Sequence, residues 1–562
     1  MSDGAYPYNE HIRRLMMSEK ITVGEAIART LEQYEVSAMY GIISIHNLPI
    51  ADAVGQRGNI RFVPARGEAG AVTMADAHGR FSGLGVALTS TGAGAGNAVG
   101  AMIEAMNANT PLLHITGQVE KAYLDADAGF IHETRDQLGF LRACSKRAYR
   151  VNSAEQAVAV IQRAILDAQT VPCGPVSVEI PIDIQSSLVS SAVLSQPVMP
   201  APLPPASDDA VERLYQRLKQ AKRPLLWLGG GALACGEAVR KLADAGVVVI
   251  SSTHGRGILP DSHPRSLRAF HNSPSIEAIL TQCDLTLVAG SRLRSNETRT
   301  WTLPLPRPLV QIDIDPAAAN RNYLADEQIN GDCGALLNAL AARVSQGEKV
   351  NAEWDAEIAR AVQQAESALR QQSGEYAKLN DAIAAALPQD GLLVRDITVS
   401  GSVWGSRLFR AISPLCNIHS LAGAIGMGLP MAIGTAIANP QRKVVGLVGD
   451  GGLALGLGEL ATMAQEQANI TLLIMNDGGY GVMRGIQDKY FAGRQYYNEL
   501  HTPAFTLVAE AMGLKAWKVD SAAQFSGVLA EAINYPGPSV VEVDMNSIGP
   551  LTFAGPPQKS LY

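Results

Sequence analysis

Short apolar runs rich in valine and isoleucine alternate with alanine-rich stretches along almost the whole chain. Short continuous apolar runs are typical of strands buried on both faces of a parallel sheet. The alanine-rich stretches between them have the composition of helices. This alternation predicts repeated βαβ units, and we therefore expect an α/β protein built on doubly wound parallel sheets.

Two changes in composition divide this pattern into three blocks. The segment 195–209, SQPVMPAPLPPASDD, carries five prolines, which cannot continue a helix or a central strand. The second break is a polar stretch at 345–375, rich in Gln, Glu and Ala, with helical composition. The remaining blocks, 18–190, 207–345 and 376–548, each have an ordinary domain size. We predict three domains with these bounds.

Composition excludes several classes of function. Of the 562 residues, 47% are apolar and 18% charged, and the net charge of −7 comes without a basic stripe, so nucleic acid is not an expected partner. No apolar run is long enough to span a membrane, and the N-terminus lacks the apolar core of a signal peptide. The cysteines form no C-x-x-C pair, which argues against zinc and disulfides. These features predict a cytoplasmic protein.

The third block contains the most informative pattern. A buried strand at 444–448 precedes the turn Gly449–Gly452, and 453–467 is predicted to be one helix. The next strand ends in Asn476 and Asp477, so parallel pairing would bring Asp450 and Asp477 to the same sheet edge. The free N–H groups of a helix start attract an anion, which two carboxylates would repel unless a cation lay between them. A diphosphate bridged by Mg²⁺ satisfies all of these groups.

Two other interpretations of the same block remain open. The spacing Gly449-x-Gly451-x-x-Ala454 also fits the dinucleotide fingerprint of a nicotinamide dehydrogenase, although Asp450 would then face a pyrophosphate without a cation. The run from Asn476 to Gly479 could equally be an ordinary turn, because Asn, Asp and Gly favour turns.

Several motifs, in order along nearly the whole chain, resemble the acetolactate synthase and 2-oxo acid decarboxylase group of thiamine-diphosphate enzymes. GDG at 449–451 followed by ND at 476–477 is similar to the thiamine-diphosphate signature of that group. The other matching segments are ARGEAGAVTMADAHGR (65–80), TSTGAGAGNAVGAM (89–102), PLLHITGQV (111–119), QIDIDP (311–316), INGDCGALL (329–337) and LAGAIGMGLPMAIGTAIA (421–438).

This resemblance implies roles for individual residues. Glu68 matches the acid that activates the cofactor through its pyrimidine ring, Ile425 matches the residue that keeps the cofactor folded, and the carbonyl of Gly423 matches the acceptor for its amino group. Asp450, Asp477 and the carbonyl of Gly479 match the Mg²⁺ ligands, although the group usually has asparagine at the second of these positions. The expected diphosphate contacts are Gly451, Gly452, Thr398, Ser400, Gly401 and Ser402.

The resemblance also implies an activity: a lyase or carboligase that decarboxylates a 2-oxo acid to an enamine, followed by carboligation or protonation. A thiamine-diphosphate-dependent hydrolase of a diketone is the alternative, and a nicotinamide dehydrogenase is a remote one. A homodimer or homotetramer is implied, because the active site of the group is shared between subunits. Some members hold FAD in the central domain, so FAD at 229–231, 253–255 and 291–292 is a further possibility.

The residues expected around the substrate depart from the group. The loop GIISIHNLPI (41–50) replaces the Pro-Gly-Gly type of sequence found in acetolactate synthases, which argues against acetolactate itself as the product. His46 in this loop is a candidate proton donor or substrate anchor, or else a loop histidine bonded to backbone. Gln118 and His132 match positions that line the same region. Met483 stands where yeast-type decarboxylases carry a glutamate, which favours carboligation.

Overall fold

The computed structural model describes residues 19–551 and residue 553. Three sheets built from parallel strands confirm the predicted fold class. The described chain divides into two compact units. The first comprises the described residues up to Ala201 together with 420–441 and 455–470. The second comprises Pro202–His419, Arg442–Ala454 and the described residues from Thr471 onward.

The first unit contains a six-stranded sheet and a two-stranded antiparallel ribbon. Its strands in chain order are β1 Lys20–Thr22, β2 Ala38–Gly41, β3 Arg61–Pro64, β4 Gly85–Thr89, β5 Leu112–Gln118, β6 Arg147–Arg150, β7 Pro175–Pro181 and β8 Leu188–Ser190. The sheet order is β3-β2-β4-β5-β7-β6, and β1 pairs with β8. The helices of this unit are Val23–Gln33, Leu48–Arg57, Glu68–Ser82, Ala93–Asn97, Val99–Ala108, Gln137–Cys144, Ala157–Gln169, Ile182–Ser186, Gly428–Ala438 and Glu459–Gln465.

The helix Glu68–Ser82 has a glycine next to each of its ends. Gly67 precedes it in an extended conformation, and Gly83 ends it with a φ of +81°, a value that glycine adopts without strain. The helix packs closely against Gly428–Ala438, because Gly434 lies directly on the backbone of Met74, where a side chain would collide. This packing fixes the position of Glu68 at one end of the pair.

The second unit contains two parallel sheets. The five-stranded sheet has the order β10-β9-β11-β12-β13, and its strands are β9 Pro224–Leu228, β10 Val248–Ser251, β11 Leu285–Ala289, β12 Leu309–Asp313 and β13 Glu327–Asn330. The six-stranded sheet has the order β15-β14-β16-β17-β19-β18, and its strands are β14 Leu392–Arg395, β15 Asn417–His419, β16 Val444–Gly449, β17 Ile470–Asn476, β18 Lys515–Val519 and β19 Ser539–Asp544.

The helices of the second unit cover these sheets. They are Asp208–Gln220, Gly236–Ala245, Pro274–Leu280, Cys333–Ala341, Ala352–Ser373, Tyr376–Ala386, Asp450–Leu455, Gly481–Tyr490, Phe505–Ala511, Ala522–Asn534 and Met545–Ile548, with a π-helix at Gly401–Gly405. The polar stretch predicted at 345–375 is therefore a helix over most of its length, while the proline-rich segment 195–207 has no regular secondary structure.

The predicted single helix over 453–467 is wrong. Two short helices, Asp450–Leu455 and Glu459–Gln465, replace it, and Gly456 and Gly458 lie in the break between them. Glycine within a helix is less favourable than alanine by roughly 1 kcal/mol, so two glycines spaced by one residue favour a break. The first helix begins at Asp450 itself, which places Gly451 and Gly452 in its first turn.

Among the described residues, no helix combines the length and the apolar character needed to cross a membrane. The cysteines there are all free thiols.

Candidate active site

The two predicted carboxylates come together at the edge of the second unit's six-stranded sheet. Strands β16 and β17 are neighbours, and Asp450 and Asp477 follow their carboxyl ends. Burial, together with the nearby negative charge of Asp477, raises the pKa of Asp450 above its usual range. Burial also raises the pKa of Asp477, against the opposing charge of Arg484. Two carboxylates held this close in a buried position are unfavourable without a cation between them.

The donor set fits a hard divalent cation. Asp450 is 1% exposed, and its Oδ2 has no hydrogen-bond partner among the described residues. A buried, unpaired carboxylate oxygen is costly, and a metal ion would satisfy it. No cluster of three or more His, Cys, Asp or Glu side chains suited to a metal is present in the described part of the chain. The remaining ligands would therefore have to come from backbone carbonyls and from the bound molecule, as Mg²⁺ sites with phosphates commonly arrange.

The loop after Asp477 is fixed by backbone hydrogen bonds. The carbonyl of Gly478 accepts from the N–H of Leu500 at 3.0 Å, and the N–H of Tyr480 donates to the carbonyl of Asn498 at 2.8 Å. Gly478 has a φ of +74°, which explains why this turn uses glycine. Gly479 therefore lies in a well-defined turn directly after Asp477.

Arg484 and Gly481 hold the Asp477 carboxylate. The guanidinium of Arg484 donates to the backbone carbonyl of Asp477 at 3.1 Å, and its Nη1 lies 3.4 Å from Oδ2. A side chain at Gly481 would collide with the same carboxylate. The orientation of Asp477 is thus set by its surroundings before any cation binds.

The predicted diphosphate loop lies beside both turns. A Cβ added at Gly449 would lie 3.2 Å from the Thr398 side chain, and one added at Gly481 would lie 2.8 Å from Val399. The hydroxyl of Thr398 accepts from the N–H of Gly401 at 2.8 Å, which folds the start of the π-helix. The structure therefore brings 398–401 close to the residues that follow β16 and β17.

The hydroxyls of Ser400 and Ser402 are not equally accessible to a bound anion. Ser400 is fully buried, and its Oγ lies 3.9 Å from the sulfur of Met545. Ser402 is half-buried, and its N–H donates to the carbonyl of Thr398 at 2.8 Å. Gly451, in the other turn, packs beneath the ring of Tyr480, where an added Cβ would lie 2.8 Å from Cε1. Hence Ser402 is the more accessible of the two serine donors.

In the first unit, Glu68 lies against the predicted glycine loop. Its Oε2 accepts from the Nδ2 of Asn97 at 3.2 Å, and a Cβ at Gly94 would lie 2.8 Å from its Oε1. Gly92 has a φ of +60° and packs on the backbone carbonyl of His132. The loop therefore needs glycine at 92 and 94 both for its conformation and to leave room for the Glu68 carboxylate.

The substrate-side candidates surround the same loop. His46 is 2% exposed, its ring centroid lies 5.3 Å from that of His132, and its Nδ1 has no hydrogen-bond partner among the described residues. Burial, and then the neighbouring His132, lowers the pKa of His46. The Oε1 of Gln118 accepts from the Thr91 hydroxyl at 3.3 Å. The first unit thus gathers Glu68, His46 and Gln118 around one glycine loop, and an imidazole with a lowered pKa is mostly neutral at pH 7.

Glu104, which the sequence patterns did not single out, holds the start of the segment 420–425. The buried carboxylate of Glu104 accepts from the Ser420 hydroxyl at 2.7 Å, from the Ala422 N–H at 2.8 Å and from the Leu421 N–H. These donors begin the segment that carries Gly423, with a φ of +88°, and Ile425, which is 37% exposed. The single charged residue in the mostly apolar helix Val99–Ala108 was the signal that could have identified it.

Models of the thiamine pyrophosphate enzyme family match all three parts of the chain. The N-terminal TPP binding domain matches residues 21–140, the central domain matches 211–340, and the C-terminal TPP binding domain matches 399–543. Glu68 and the glycine loop fall within the first match, and Asp450 and Asp477 within the third.

Curated relatives agree with these matches. The probable 2-ketoarginine decarboxylase of Pseudomonas aeruginosa is 33% identical over 473 residues, covering 83% of this chain and 83% of the relative. The large subunit of acetolactate synthase isozyme 1 of Escherichia coli is 29% identical over 544 residues, covering 94% and 95%. The mitochondrial acetolactate synthase catalytic subunit of Saccharomyces cerevisiae is 25% identical, covering 94% and 82%. The chain therefore belongs to the thiamine pyrophosphate enzyme family.

Proposed function

We propose that this protein is a thiamine-diphosphate- and Mg²⁺-dependent lyase or carboligase of the acetolactate synthase type that acts on a 2-oxo acid. The observation that carries the proposal is the pair formed by buried Asp450 and half-buried Asp477, with an unpaired oxygen of Asp450 beside a glycine turn. When bound, thiamine diphosphate supplies a nucleophilic carbon and an electron sink for cleavage of the bond next to the substrate carbonyl.

The second unit would hold the charged end of the cofactor. Asp450, Asp477 and the carbonyl of Gly479 are the proposed Mg²⁺ ligands. The proposed diphosphate contacts are the residues predicted from the sequence, Gly451, Gly452, Thr398, Ser400, Gly401 and Ser402. Ser400 would act through its backbone, because its hydroxyl is buried against Met545. The helix that starts at Asp450 has only six residues, so local N–H groups rather than a long helix dipole would face the anion.

Residues of the first unit would carry out the proton transfers. Glu68 would hold a proton against the pyrimidine ring, while Gly423 and Ile425 would contact the same ring. His46 and His132 would face the substrate, where the neutral imidazole of His46 can accept a proton and then return it. The Oε1 of Gln118 accepts from the N–H of Val119 at 2.8 Å, which anchors the side chain, so Gln118 would serve as a fixed polar contact.

The relatives named as a 2-ketoarginine decarboxylase and as acetolactate synthases support a 2-oxo acid substrate and release of CO₂. None of the comparisons favours the diketone hydrolase or the dehydrogenase. Met483 is 46% exposed on the helix Gly481–Tyr490, and an apolar side chain there offers no acid for protonation. This favours carboligation after CO₂ has left.

A homodimer or homotetramer is part of the proposal. Ile425 in the first unit and Met483 in the second are apolar and keep 37% and 46% of their surface exposed in the single chain. Apolar side chains at a proposed site fit coverage by a second copy of the chain or by the cofactor.

FAD is left outside the proposed cofactor set. The N–H of Thr253 donates to the buried carboxylate of Glu297 at 2.7 Å, and the imidazole of His254 packs directly over Gly230. The N–H of Thr253 is therefore already bonded to Glu297, and the His254 ring fills the space over Gly230. Both groups lie near the strand ends where a flavin diphosphate would be expected to bind. We expect the active enzyme to be colourless, and flavin absorbance in the visible range that scales with activity would contradict this.

The substrate proposal is tested with a panel of 2-oxo acids and 1,2-diketones, with trapped CO₂ measured and products identified by mass spectrometry. We expect CO₂ release from at least one 2-oxo acid and a product of two joined carbonyl compounds. Cleavage of a diketone by water, with no CO₂ from any 2-oxo acid, would establish the hydrolase instead.

A further inference from the structure

Two adjoining cavities in the second unit lie outside the proposed active site. The first, of about 480 Å³, lies between the loop 261–268 and the helix Ala352–Ser373. The second, of about 590 Å³, lies between the helix Tyr376–Ala386 and the segment 408–416. Arg370 and Arg410 line both cavities. We call the two together the arginine groove; each cavity has the size of a typical small-molecule site.

Positive charge is in excess where the cavities meet. Arg268, Arg370 and Arg410 all contact the single carboxylate of Glu366, at 2.8, 3.2 and 3.4 Å. Asp381 adds a second carboxylate, which accepts from two nitrogens of Arg370 at 2.9 Å each. Three guanidinium groups against two carboxylates leave one positive charge.

The other ionisable side chains considered at the first cavity, Asp261 and His263, have partners within the protein. Asp261 is buried and accepts from Arg256 at 2.6 Å. His263 contacts Asp244 at 3.1 Å. The excess charge therefore rests with the three arginines that share Glu366.

Arg410 is the arginine best placed to bind an added anion. Its side chain is 55% exposed, and its contact with Glu366 is the longest of the three at 3.4 Å. A guanidinium has five N–H donors, so two shared oxygens cannot saturate three such groups. A carboxylate or phosphate approaching Arg410 would find donors in a geometry suited to planar oxyanions, and Arg370, whose two terminal nitrogens already donate to Asp381, would add its positive charge.

The second cavity is suited to an apolar body. Leu387, Leu408, Phe409 and Ile412 line it, and Ile412 is 42% exposed.

We propose that the arginine groove is a second binding site for a small amphipathic anion, with its oxyanion head at Arg370 and Arg410 and its apolar body along the second cavity. The head is a carboxylate or a phosphate, since both bind arginine through paired oxygens. The site is separate from Asp450, Asp477 and the glycine turns, so it does not depend on the proposed catalytic activity.

The test measures binding to the full-length protein by calorimetry with four probes: hexanoate, hexyl phosphate, hexylammonium and acetate. We expect hexanoate or hexyl phosphate to bind, acetate to bind at least about tenfold more weakly, and hexylammonium not to bind. The stronger of the two hexyl anions identifies the head group. Binding of hexylammonium as tight as that of the anions, or no binding of either hexyl anion, would overturn the proposal.

Matched variants locate the site. Arg410→Gln should weaken the preferred hexyl anion at least about tenfold, because a charge-assisted hydrogen bond is lost. Arg307→Gln is the control: Arg307 is also 55% exposed and also ion-paired, to Asp326 at 2.7 Å, but lies outside the groove. Ile412→Ser should weaken the hexyl anion while leaving acetate unchanged. Equal affinities for Arg410→Gln and Arg307→Gln would refute the placement.

Discussion

Replacing Glu104 with glutamine should weaken thiamine diphosphate binding although Glu104 would not contact the cofactor. The carboxylate receives three hydrogen bonds from Ser420, Leu421 and Ala422, and Arg80 lies 3.4 Å from it. Glutamine keeps the shape but replaces one acceptor oxygen by an NH₂ group that faces N–H donors. Removing one partner of a buried charged network typically costs about 3–5 kcal/mol.

Only part of this loss of free energy would lower the affinity for thiamine diphosphate. The affinity falls in proportion to the fraction of molecules whose 420–425 segment keeps the binding conformation. If this fraction falls to about one in ten, the dissociation constant rises about tenfold, which corresponds to about 1.4 kcal/mol. We therefore predict that Glu104 acts as a positioning residue for Gly423 and Ile425.

The assay is calorimetric titration of thiamine diphosphate in saturating Mg²⁺, with thermal unfolding recorded in parallel. Asp76→Asn is the control, because Asp76 is the other acidic partner of Arg80, at 2.6 Å, and its side-chain hydrogen bonds run to Arg80 and Thr110 rather than to 420–422. We expect both variants to unfold at lower temperature and Glu104→Gln alone to lose affinity. Unchanged affinity in Glu104→Gln, or an equal loss in both variants, would refute the positioning role.

Three further predictions concern residues proposed to face the cofactor or the substrate. Glu68→Gln should fold normally and lose about 10²–10⁴-fold in turnover, as positioned proton transfer typically contributes; wild-type turnover would remove Glu68 from cofactor activation. Asp477→Asn should stay active and bind thiamine diphosphate at least as well as the parent, whereas Asp477→Ala should need more Mg²⁺; identical Mg²⁺ titration curves for the two would exclude Asp477 as a ligand. His46→Ala should change the relative activities across the substrate panel more than it changes the affinity for thiamine diphosphate. The reverse result would show that the 41–50 loop does not line the substrate site.

Much of the sheet edge could be predicted because the strands are fully buried. The runs at 444–449 and 470–476 are almost continuously apolar, which fixes both strands and the positions of Asp450 and Asp477 at their ends. The contact between the two carboxylates followed from parallel pairing alone. Their local geometry did not, since Arg484 and Gly481 orient Asp477 through a turn that the pattern of apolar residues does not encode.

Three features of the structure could not be predicted from local sequence, each for a different physical reason. The helix break at Gly456 and Gly458 was missed because leucines on either side continue the apolar pattern. Glu104 was missed because its donors lie more than three hundred residues away in the sequence. Ser400 and Ser402 have the same chemistry, and only packing shows that the first faces Met545. Local sequence carries none of this information.

We propose that Asp450 and Asp477 hold a divalent cation together with thiamine diphosphate. The most direct measurement is calorimetric titration of the purified, chelator-treated protein with thiamine diphosphate, with and without Mg²⁺, and with NAD as the comparison ligand. We predict binding of thiamine diphosphate that requires Mg²⁺ and is lost in Asp450→Ala, with no binding of NAD. Thiamine diphosphate binding that is independent of both Mg²⁺ and Asp450, or binding of NAD in its place, would contradict the account.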